Sequence, residues 1–308
     1  MKKTLFLFCG QGSQYTGMAK ELLECTPTAE HIFEIGSRIL GYDLKELMFT
    51  ADAETLAQTK YSQPCIFTAS LVALEAMKAN GIAYDGVAGH SLGEYAAMVA
   101  AGVVSMEQGF SLIQKRAAAM QECAEKQNSS MAAILSSDTA MIEALCESTE
   151  GYVVPANYNS AAQTVIAGEK DAVAKVCEQL AAQKVRCVPL AVSAAFHTEL
   201  MKPAADSFYA QIKDEPFAAA KVDFFSNILG ERLTDFSDMP SYLAKQIISP
   251  VKFTSELNTA QALGYDTYIE LGPGKVLTGL VKKTLKGVTS QNVENAATLE
   301  KALAISGK

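Results

Sequence analysis

The sequence lacks the features that mark several specialised classes of protein. Its seven cysteines include no Cys-x-x-Cys pair, and an odd number of cysteines cannot all pair within one chain. The longest apolar stretch, around Ala96 to Val104, falls short of the roughly 18 residues that a membrane helix needs. We therefore expect reduced, buried cysteines, no bound metal and no association with a membrane.

An excess of positive charge is also missing, because 26 Lys and Arg residues face 34 Asp and Glu residues, a net charge of -8. Binding to nucleic acid needs clustered Lys and Arg, so nucleic acid is not an expected partner. Lys2 and Lys3 precede the apolar run Leu5 to Cys9 in the charge order of a signal peptide, but this run is too short. We expect a cytoplasmic, monomeric protein.

Strands and helices alternate in three predicted strand-turn-helix units, and 308 residues can form one large core. The predicted strands end near Phe8, Ala88 and Leu271, and glycine-rich turns lead from them into helices. This alternation predicts an α/β fold with a mostly parallel sheet covered on both faces.

The middle of the chain follows a different order, strand-helix-strand-strand-helix-strand, which is typical of a ferredoxin-like fold. The strands are predicted at 131–135, 152–156, 164–167 and 185–192, and the helices at 139–147 and 171–184. We therefore predict an inserted ferredoxin-like domain at 127–194. It interrupts a larger α/β-hydrolase-like domain formed by residues 1–126 and 195–308.

The segment Gly89-His90-Ser91-Leu92-Gly93 matches the G-x-S-x-G nucleophile elbow. In that motif glycines allow a sharp turn between a strand and a helix, so that the serine hydroxyl is exposed. The alternative is a tight turn that simply requires glycine, because strand-helix junctions often use Gly and Ser. The predicted strand before the motif and the helix after it favour the elbow.

A serine nucleophile needs a base, and the chain has only the three histidines His31, His90 and His197. His90 sits beside Ser91 in the same turn, where its side chain would point away from the hydroxyl. His31 lies on an amphipathic helical stretch far from any motif. His197, after a predicted strand at the exit from the inserted domain, remains as the candidate, although a lone histidine is often a capping or core residue.

With these residues the chain resembles the malonyl-CoA:acyl carrier protein transacylases, the acyltransferase family of fatty acid and polyketide synthesis. The resemblance extends over essentially the whole chain and rests on an ordered set of segments: Gly10-Gln11-Gly12-Ser13-Gln14, Gln63-Pro64, Gly89 to Tyr95, Arg116, Ala156 to Ser160, Phe196-His197, Met201-Lys202-Pro203, Ser249-Pro250-Val251 and Gly272-Pro273-Gly274-Lys275.

The resemblance implies a role for each catalytic position. Ser91 would be the nucleophile and His197 its base, oriented by the main-chain carbonyl of Gln246 in place of a triad acid. The main-chain N–H groups of Gln11 and Leu92 would form the oxyanion hole, which suits a helix N-terminus and a glycine-flanked loop.

The resemblance also implies how the acyl group is selected. Arg116, which taken alone is typical of a solvated surface charge, would bind the free carboxylate of malonate through its planar guanidinium. Gln63 and Asn157 would line the same pocket, although turn and loop amides that bond to the backbone remain an equal alternative. Phe196 resembles the residue of malonyl-using members, where methylmalonyl-using members have a smaller one.

The implied function is transfer of malonyl from malonyl-CoA to the phosphopantetheine thiol of acyl carrier protein, by a ping-pong mechanism through a malonyl-Ser91 ester, for fatty acid synthesis. No cofactor is implied beyond the CoA thioester substrate. Alternatives are an acyltransferase of polyketide synthesis, a serine esterase or thioesterase, and a non-catalytic docking module. A nucleotide-binding loop is disfavoured, because Tyr15 occupies the place of the third glycine after Gly10 and Gly12.

An acidic carrier would also need a local basic surface on this acidic protein. We therefore predict a carrier-binding patch formed by some of five basic residues: Lys184, Arg186, Lys202, Lys282 and Lys283.

Overall fold

A computed structural model describes residues 3–192 and 194–305 of the chain. Lys2, part of the start that was compared with a signal peptide, lies outside these residues, as does Ser193 at the predicted exit from the inserted domain.

The described residues form two β-sheets. Six strands make the larger sheet: β1 (Lys3–Phe8), β2 (Gly86–Gly89), β7 (Asp223–Ser226), β8 (Glu231–Leu233), β9 (Tyr265–Leu271) and β10 (Thr289–Val293). Four strands make the smaller sheet: β3 (Ser129–Leu135), β4 (Val153–Ser160), β5 (Gln163–Glu169) and β6 (Arg186–Pro189).

Helices cover both sheets. They are α1 (Lys20–Cys25), α2 (Glu30–Leu40), α3 (Leu44–Thr50), α4 (Ala53–Ala57), α5 (Thr59–Ala79), α6 (Gly93–Ala100), α7 (Met106–Glu125), α8 (Thr139–Ser148), α9 (Lys170–Ala182), α10 (Lys202–Ile212), α11 (Met239–Ile248), α12 (Phe253–Ala262), α13 (Val276–Thr284) and α14 (Ala296–Ile305). Short 3-10 helices occur at Pro27–Ala29 and Glu199–Met201.

The larger sheet has the strand order β10-β9-β1-β2-β7-β8 and is parallel except for its edge strand β8. Parallel strands point their carboxyl ends to the same edge of a sheet. The turn after β2, which contains Ser91, and the loop after β1, which contains Gln11, therefore lie together at that edge.

Strand β1 shows why this sheet is buried on both faces. Phe6 and Phe8 pack into the main core, whereas Leu5 and Leu7 pack into a second core on the opposite face. Side chains alternate along a strand, so an uninterrupted apolar run supplies both cores at once.

The smaller sheet is antiparallel with the order β4-β5-β3-β6, and α8 and α9 contribute to its core. This order and the strand-helix-strand-strand-helix-strand sequence are those of a ferredoxin-like fold. The predicted fold class is thus confirmed. The sheet lies within residues 127–194, and the domain boundaries themselves stay a prediction.

Three details differ from the sequence predictions. Strand β6 ends at Pro189 and not at Val192, and β4 continues to Ser160, beyond its predicted end at Ala156. All seven cysteines are free, but Cys25 is exposed at the end of the short helix α1, and Cys177 and Cys187 are only half-buried. The prediction that all cysteines are buried was therefore wrong for these three.

Candidate active site

Ser91 lies in the turn between β2 and α6 with a φ of 54°, in the left-handed region that non-glycine residues rarely adopt. The flanking glycines are required for a different reason, since neither has a positive φ. A Cβ at Gly89 would overlap the main chain of Gly93 and Glu94, and a Cβ at Gly93 would overlap Phe8 O at the end of β1. The glycines permit close packing of strand and helix, while Ser91 itself adopts the strained conformation.

Two side-chain amides hold the main chain of Ser91 in this conformation. Ser91 N–H donates to Asn227 Oδ1 at 2.7 Å, and Ser91 O accepts from Gln246 Nε2 at 2.9 Å. Asn227 follows β7 and Gln246 lies near the end of α11. Both are buried, so these bonds are protected from water.

His197 also has a positive φ, 63°, and its Nε2 lies 2.7 Å from Ser91 Oγ. Its Nδ1 faces two main-chain carbonyls, Gln246 O at 3.0 Å and Ser249 O at 3.1 Å. Carbonyl oxygens can only accept, so Nδ1 carries the proton and Nε2 is left as the acceptor for the Ser91 hydroxyl. This tautomer is the one that can act as a general base.

The electrostatic surroundings keep His197 neutral. Burial, together with the positive charge of Arg116, lowers its pKa from 6.5 to about 3, against the opposing effect of the Gln246 carbonyl. The imidazole is therefore unprotonated and able to accept a proton at neutral pH.

Arg116 is only 1% exposed, so the interpretation as a surface charge, drawn from the residue alone, is wrong. Its Nη1 donates to Gln63 Oε1 at 2.8 Å, and its Nη2 lies 3.1 Å from Ser91 Oγ and 3.2 Å from Gln246 Oε1. No carboxylate among the described residues forms an ion pair with it, and its Nε has no hydrogen-bond acceptor in that part of the chain. Burial lowers its pKa, but a guanidinium remains charged at neutral pH. A buried cation without an anionic partner can bind a carboxylate that enters the site.

Of the remaining predicted pocket residues, Gln63 and Asn157 lie on regular elements, whereas Phe196 lies in the turn that carries His197. Gln63 is fully buried in α5, where its oxygen holds Arg116 and its Nε2 lies 3.5 Å from Met120 Sδ. Asn157 is buried in β4 and bridges to Val251. Phe196 is buried beside His197 in sequence, at 8% exposure.

The N–H groups predicted for the oxyanion hole are available at the turn. Leu92 caps the N-terminus of α6, and within residues 3–192 and 194–305 nothing accepts a hydrogen bond from the N–H of Leu92 or of Gln11. The loop after β1 packs closely against the elbow, because His90 N–H donates to Phe8 O at 3.0 Å and a Cβ at Gly10 would contact His90 O. Two free N–H groups at a helix N-terminus and a neighbouring loop can bind a developing oxyanion.

The other two histidines have their own partners. His90 Nε2 lies 2.8 Å from Asn159 Oδ1, and its ring packs edge-on against Phe253. His31 is exposed on α2 and its Nδ1 contacts Thr28 O at 2.5 Å. Neither contacts Ser91, in agreement with the elimination made from the sequence.

A buried polar network behind the elbow was missed from the sequence. Glu94 and Glu256 are both buried, and each accepts a hydrogen bond from one of the amides that hold Ser91. Glu94 in the elbow segment could have been suspected, since a charge on an otherwise apolar helix needs a partner. Asn227 and Glu256 carry no comparable signal, because nothing in the sequence brings them to this turn.

Other predicted features can be placed on the structure. No helix within residues 3–192 and 194–305 is sufficiently long and apolar to cross a membrane, and the same residues contain no group of three or more metal-ligating side chains. The five basic residues of the predicted carrier patch are all exposed. Lys202 pairs with Asp206 at 2.8 Å, whereas Lys282 and Lys283 lie in the last turn of α13, away from the helix end nearest the carboxyl ends of the strands. The patch stays a prediction.

The chain is similar to a protein family and to several curated proteins. A family model described as the acyl transferase domain matches residues 5–302. The curated malonyl CoA-acyl carrier protein transacylase of Bacillus subtilis is 40% identical over 308 residues, which cover 98% of this chain and 97% of that protein. The protein of the same name from Escherichia coli K12 is 37% identical over 98% of this chain and 99% of its own length.

Solved structures show the same relationship. The malonyl CoA-acyl carrier protein transacylase of Clostridium perfringens superposes with a TM-score of 0.94 at 35% identity, covering 98% of this chain and 96% of its own. A malonyl-transacylase solved in complex with its type II polyketide synthase acyl-carrier protein also has a TM-score of 0.94, at 34% identity, with 99% of this chain and 100% of that chain covered.

Proposed function

Because the chain belongs to the acyl transferase domain family, we propose that it transfers a malonyl group from malonyl-CoA to the phosphopantetheine thiol of acyl carrier protein. The reaction supplies fatty acid synthesis and proceeds by a ping-pong mechanism through an ester on Ser91. The observation that carries this proposal is the meeting of Ser91, His197 and the unpaired cation Arg116 within hydrogen-bond distance.

In the first half-reaction, Ser91 Oγ attacks the thioester carbonyl and its proton passes to His197 Nε2, 2.7 Å away. The negative charge on the carbonyl oxygen is stabilised by the N–H groups of Gln11 and Leu92, whose loss typically costs about 2.7 to 4 kcal/mol each. The C–S bond breaks, the CoA thiolate takes the proton from His197, and malonyl remains on Ser91.

In the second half-reaction the carrier thiol replaces CoA. His197 Nε2 accepts the thiol proton, the thiolate attacks the ester carbonyl, and the proton returns to Ser91 Oγ as it leaves. The carbonyls of Gln246 and Ser249 hold the imidazole in the same tautomer throughout, since they accept from Nδ1 in both steps.

Arg116 provides the selectivity for a dicarboxylic acyl group. Its guanidinium is buried, holds no carboxylate of the described chain, and reaches Ser91 Oγ, so a carboxylate bound to it lies close to the reacting ester. Gln63, Asn157 and Phe196 line the pocket in this proposal, with Gln63 fixing Arg116 through its amide oxygen.

Two alternative functions are a transferase with a polyketide acceptor and a serine esterase. The relative solved with a polyketide carrier protein makes a polyketide acceptor the second candidate. A serine esterase is disfavoured, because its triad acid would lie at His197 Nδ1, where two main-chain carbonyls lie in this protein.

The proposal also covers the cofactor requirement, the location and oligomeric state of the enzyme, and the role of the inserted domain. The enzyme requires no cofactor beyond the CoA thioester, which is a substrate, and it acts as a cytoplasmic monomer without binding nucleic acid. The inserted domain at 127–194 forms one wall of the site in this proposal, since β4 is bonded to the segment between α11 and α12: Tyr158 N–H donates to Val251 O and Val251 N–H to Ala156 O.

Intact-mass measurement tests the proposal. Brief exposure to malonyl-CoA should add one malonyl group to the wild-type protein and none to Ser91→Ala, and His197→Ala should slow both acylation and transfer to carrier. Fatty acid and polyketide carrier proteins, offered separately to the acylated enzyme, identify the acceptor. An adduct that persists in Ser91→Ala, or release of free malonate at the full turnover rate, would rule the proposal out.

A further inference from the structure

Gln246 contacts Ser91, His197 and Arg116, the three residues proposed to carry out the reaction. Its main-chain oxygen accepts from His197, its side-chain Nε2 donates to Ser91 O, and its Oε1 accepts from Arg116 Nη2 at 3.2 Å. An amide has distinct donor and acceptor ends, so these contacts are favourable in only one of its two orientations. The groups that surround the Gln246 side chain must therefore select that orientation.

Glu94 occupies the position that makes this selection. The side chain is fully buried on α6, and its Oε2 accepts the second N–H of Gln246 Nε2 at 2.5 Å. Its Oε1 accepts from Asn227 N–H at 2.7 Å and contacts the Tyr242 hydroxyl at 2.8 Å. Both carboxylate oxygens are thus surrounded by donors, as an ionised group requires.

We propose that Glu94 is a positioning residue of this enzyme, whose carboxylate fixes the Gln246 amide so that its oxygen faces Arg116 and its N–H groups face Ser91 O and Glu94. With the amide reversed, the Gln246 oxygen would face Ser91 O and the Glu94 carboxylate, and its NH₂ would face the Arg116 guanidinium. All three contacts would then be repulsive. Glu94 acts on the reaction only through Gln246 and Asn227.

This inference rests on the proposed function, because the expected consequence is loss of malonyl selectivity. If Gln246 reverses, Arg116 loses an acceptor and moves from the position where it binds the malonyl carboxylate, whereas an acetyl group makes no use of that cation. Loss of the Gln246 bond to Ser91 O would slow transfer of both acyl groups, whereas loss of the Arg116 contact would slow malonyl transfer alone. The defect should therefore be larger for malonyl than for acetyl.

The variant Glu94→Gln tests it, since the replacement has the same size but places an NH₂ group where one of the two carboxylate oxygens accepts hydrogen bonds. A matched control is Glu270→Gln, which neutralises another buried glutamate whose oxygens accept from Leu277 and Thr278 N–H at the start of α13. The rate constants for acylation of Ser91 by malonyl-CoA and by acetyl-CoA are measured for each protein by rapid quench and intact mass.

We expect Glu94→Gln to reduce malonyl acylation about tenfold or more and acetyl acylation far less, so that the malonyl-to-acetyl ratio falls. Glu270→Gln should keep the wild-type ratio. An unchanged malonyl-to-acetyl ratio in Glu94→Gln, whether or not both rate constants fall, would overturn the inference. Failure of the wild-type protein to accept malonyl at all would instead refute the proposed function.

A second measurement on the wild-type protein decides the matter if Glu94→Gln does not fold. Burial raises the pKa of Glu94 to about 7, against the effects of Asn227, Tyr242, Gln246 and Arg116, which lower it. The other titratable groups near it are Glu256 on α12 and Tyr95 on its own helix. A proton on Oε2 would oppose the Gln246 N–H, so the malonyl-to-acetyl ratio should fall several-fold between pH 8 and pH 5.5. A ratio independent of pH would overturn the inference.

Discussion

Arg116 Nη2 lies 3.1 Å from Ser91 Oγ, so the cation proposed to bind the substrate and the nucleophile are in direct contact in the free protein. A malonyl carboxylate would replace the Ser91 hydroxyl as a partner of the guanidinium and leave Oγ bonded to His197. Binding of the correct acyl group is therefore coupled to the arrangement of the nucleophile. Acetyl offers no such replacement, because it has no carboxylate.

Replacing Arg116 with alanine tests this coupling. A buried ion pair that loses one partner costs about 3 to 5 kcal/mol, so malonyl transfer should fall by two orders of magnitude or more, while acetyl transfer stays level or improves. The measurement is kcat/KM with each thioester. Lys115→Ala, which removes the adjacent cation that pairs with Glu215 at 2.8 Å, is the control and should retain selectivity. Equal losses for both acyl groups in Arg116→Ala would make it a structural residue.

The titration of His197 should be visible in the stability of the protein. Its pKa is lowered to about 3 by burial, whereas an unfolded histidine titrates near 6.5. As the pH falls from 6.5 towards 3, the unfolded chain binds a proton that the folded chain does not, and stability is lost by up to about 1.4 kcal/mol per pH unit. Denaturant unfolding of wild type and His197→Gln at pH 7.5 and 5.0 measures it.

The difference between the two proteins isolates His197, because other groups titrate in both. Glu94, with its raised pKa, contributes in the opposite direction between pH 4.5 and 7. Wild type should lose more stability than His197→Gln on acidification. Parallel losses would show that His197 is protonated in the folded protein.

Glu256 should respond to neutralisation differently from Glu94. Burial raises its pKa well above the usual value, with the charge of Glu94 adding to the effect, and one of its oxygens has no described partner. A neutral carboxyl accepting from Asn227 Nδ2 is closely matched by an amide, so Glu256→Gln should unfold within about 1 kcal/mol of wild type. Glu256→Ala should cost more, about 1 to 3 kcal/mol for the unsatisfied amide and a further amount for the cavity. Denaturant titration separates them, and equal costs would contradict a neutral Glu256.

Adding a methyl group should have opposite effects on stability at Gly93 in the elbow and at Gly279 in α13. Gly93→Ala should destabilise the protein and abolish acylation, because the new Cβ would overlap Phe8 O and displace the end of β1. Gly279→Ala in α13, where the Cβ meets open space, should instead stabilise by about 0.5 to 1 kcal/mol. Thermal unfolding and Ser91 acylation are measured for both. Normal acylation by Gly93→Ala would show that the turn tolerates separation of strand and helix.

The sequence predicted the features that short stretches of chain encode. Strands buried on both faces need apolar runs, and the sequence has them at Leu5 to Phe8 and at Thr267 to Leu271. The segment Gly89 to Gly93 specifies a strand-turn-helix junction locally. Having only three histidines made it possible to select His197 by elimination. The ferredoxin-like insertion followed from the order of its elements.

The tertiary structure decided how residues far apart in the chain meet at Ser91. Asn227, 136 residues away, and Gln246, 155 residues away, hold its main chain. Arg116, expected at the surface when taken alone, is buried beside Gln63. Periodicity and composition describe what each segment buries, but hydrogen-bond partners depend on which loops the sheet order brings to one edge. The sequence by itself therefore determined the elements, the elbow and the candidate base, whereas only packing decided the charge environment, the amide orientations and the partners of each buried polar group.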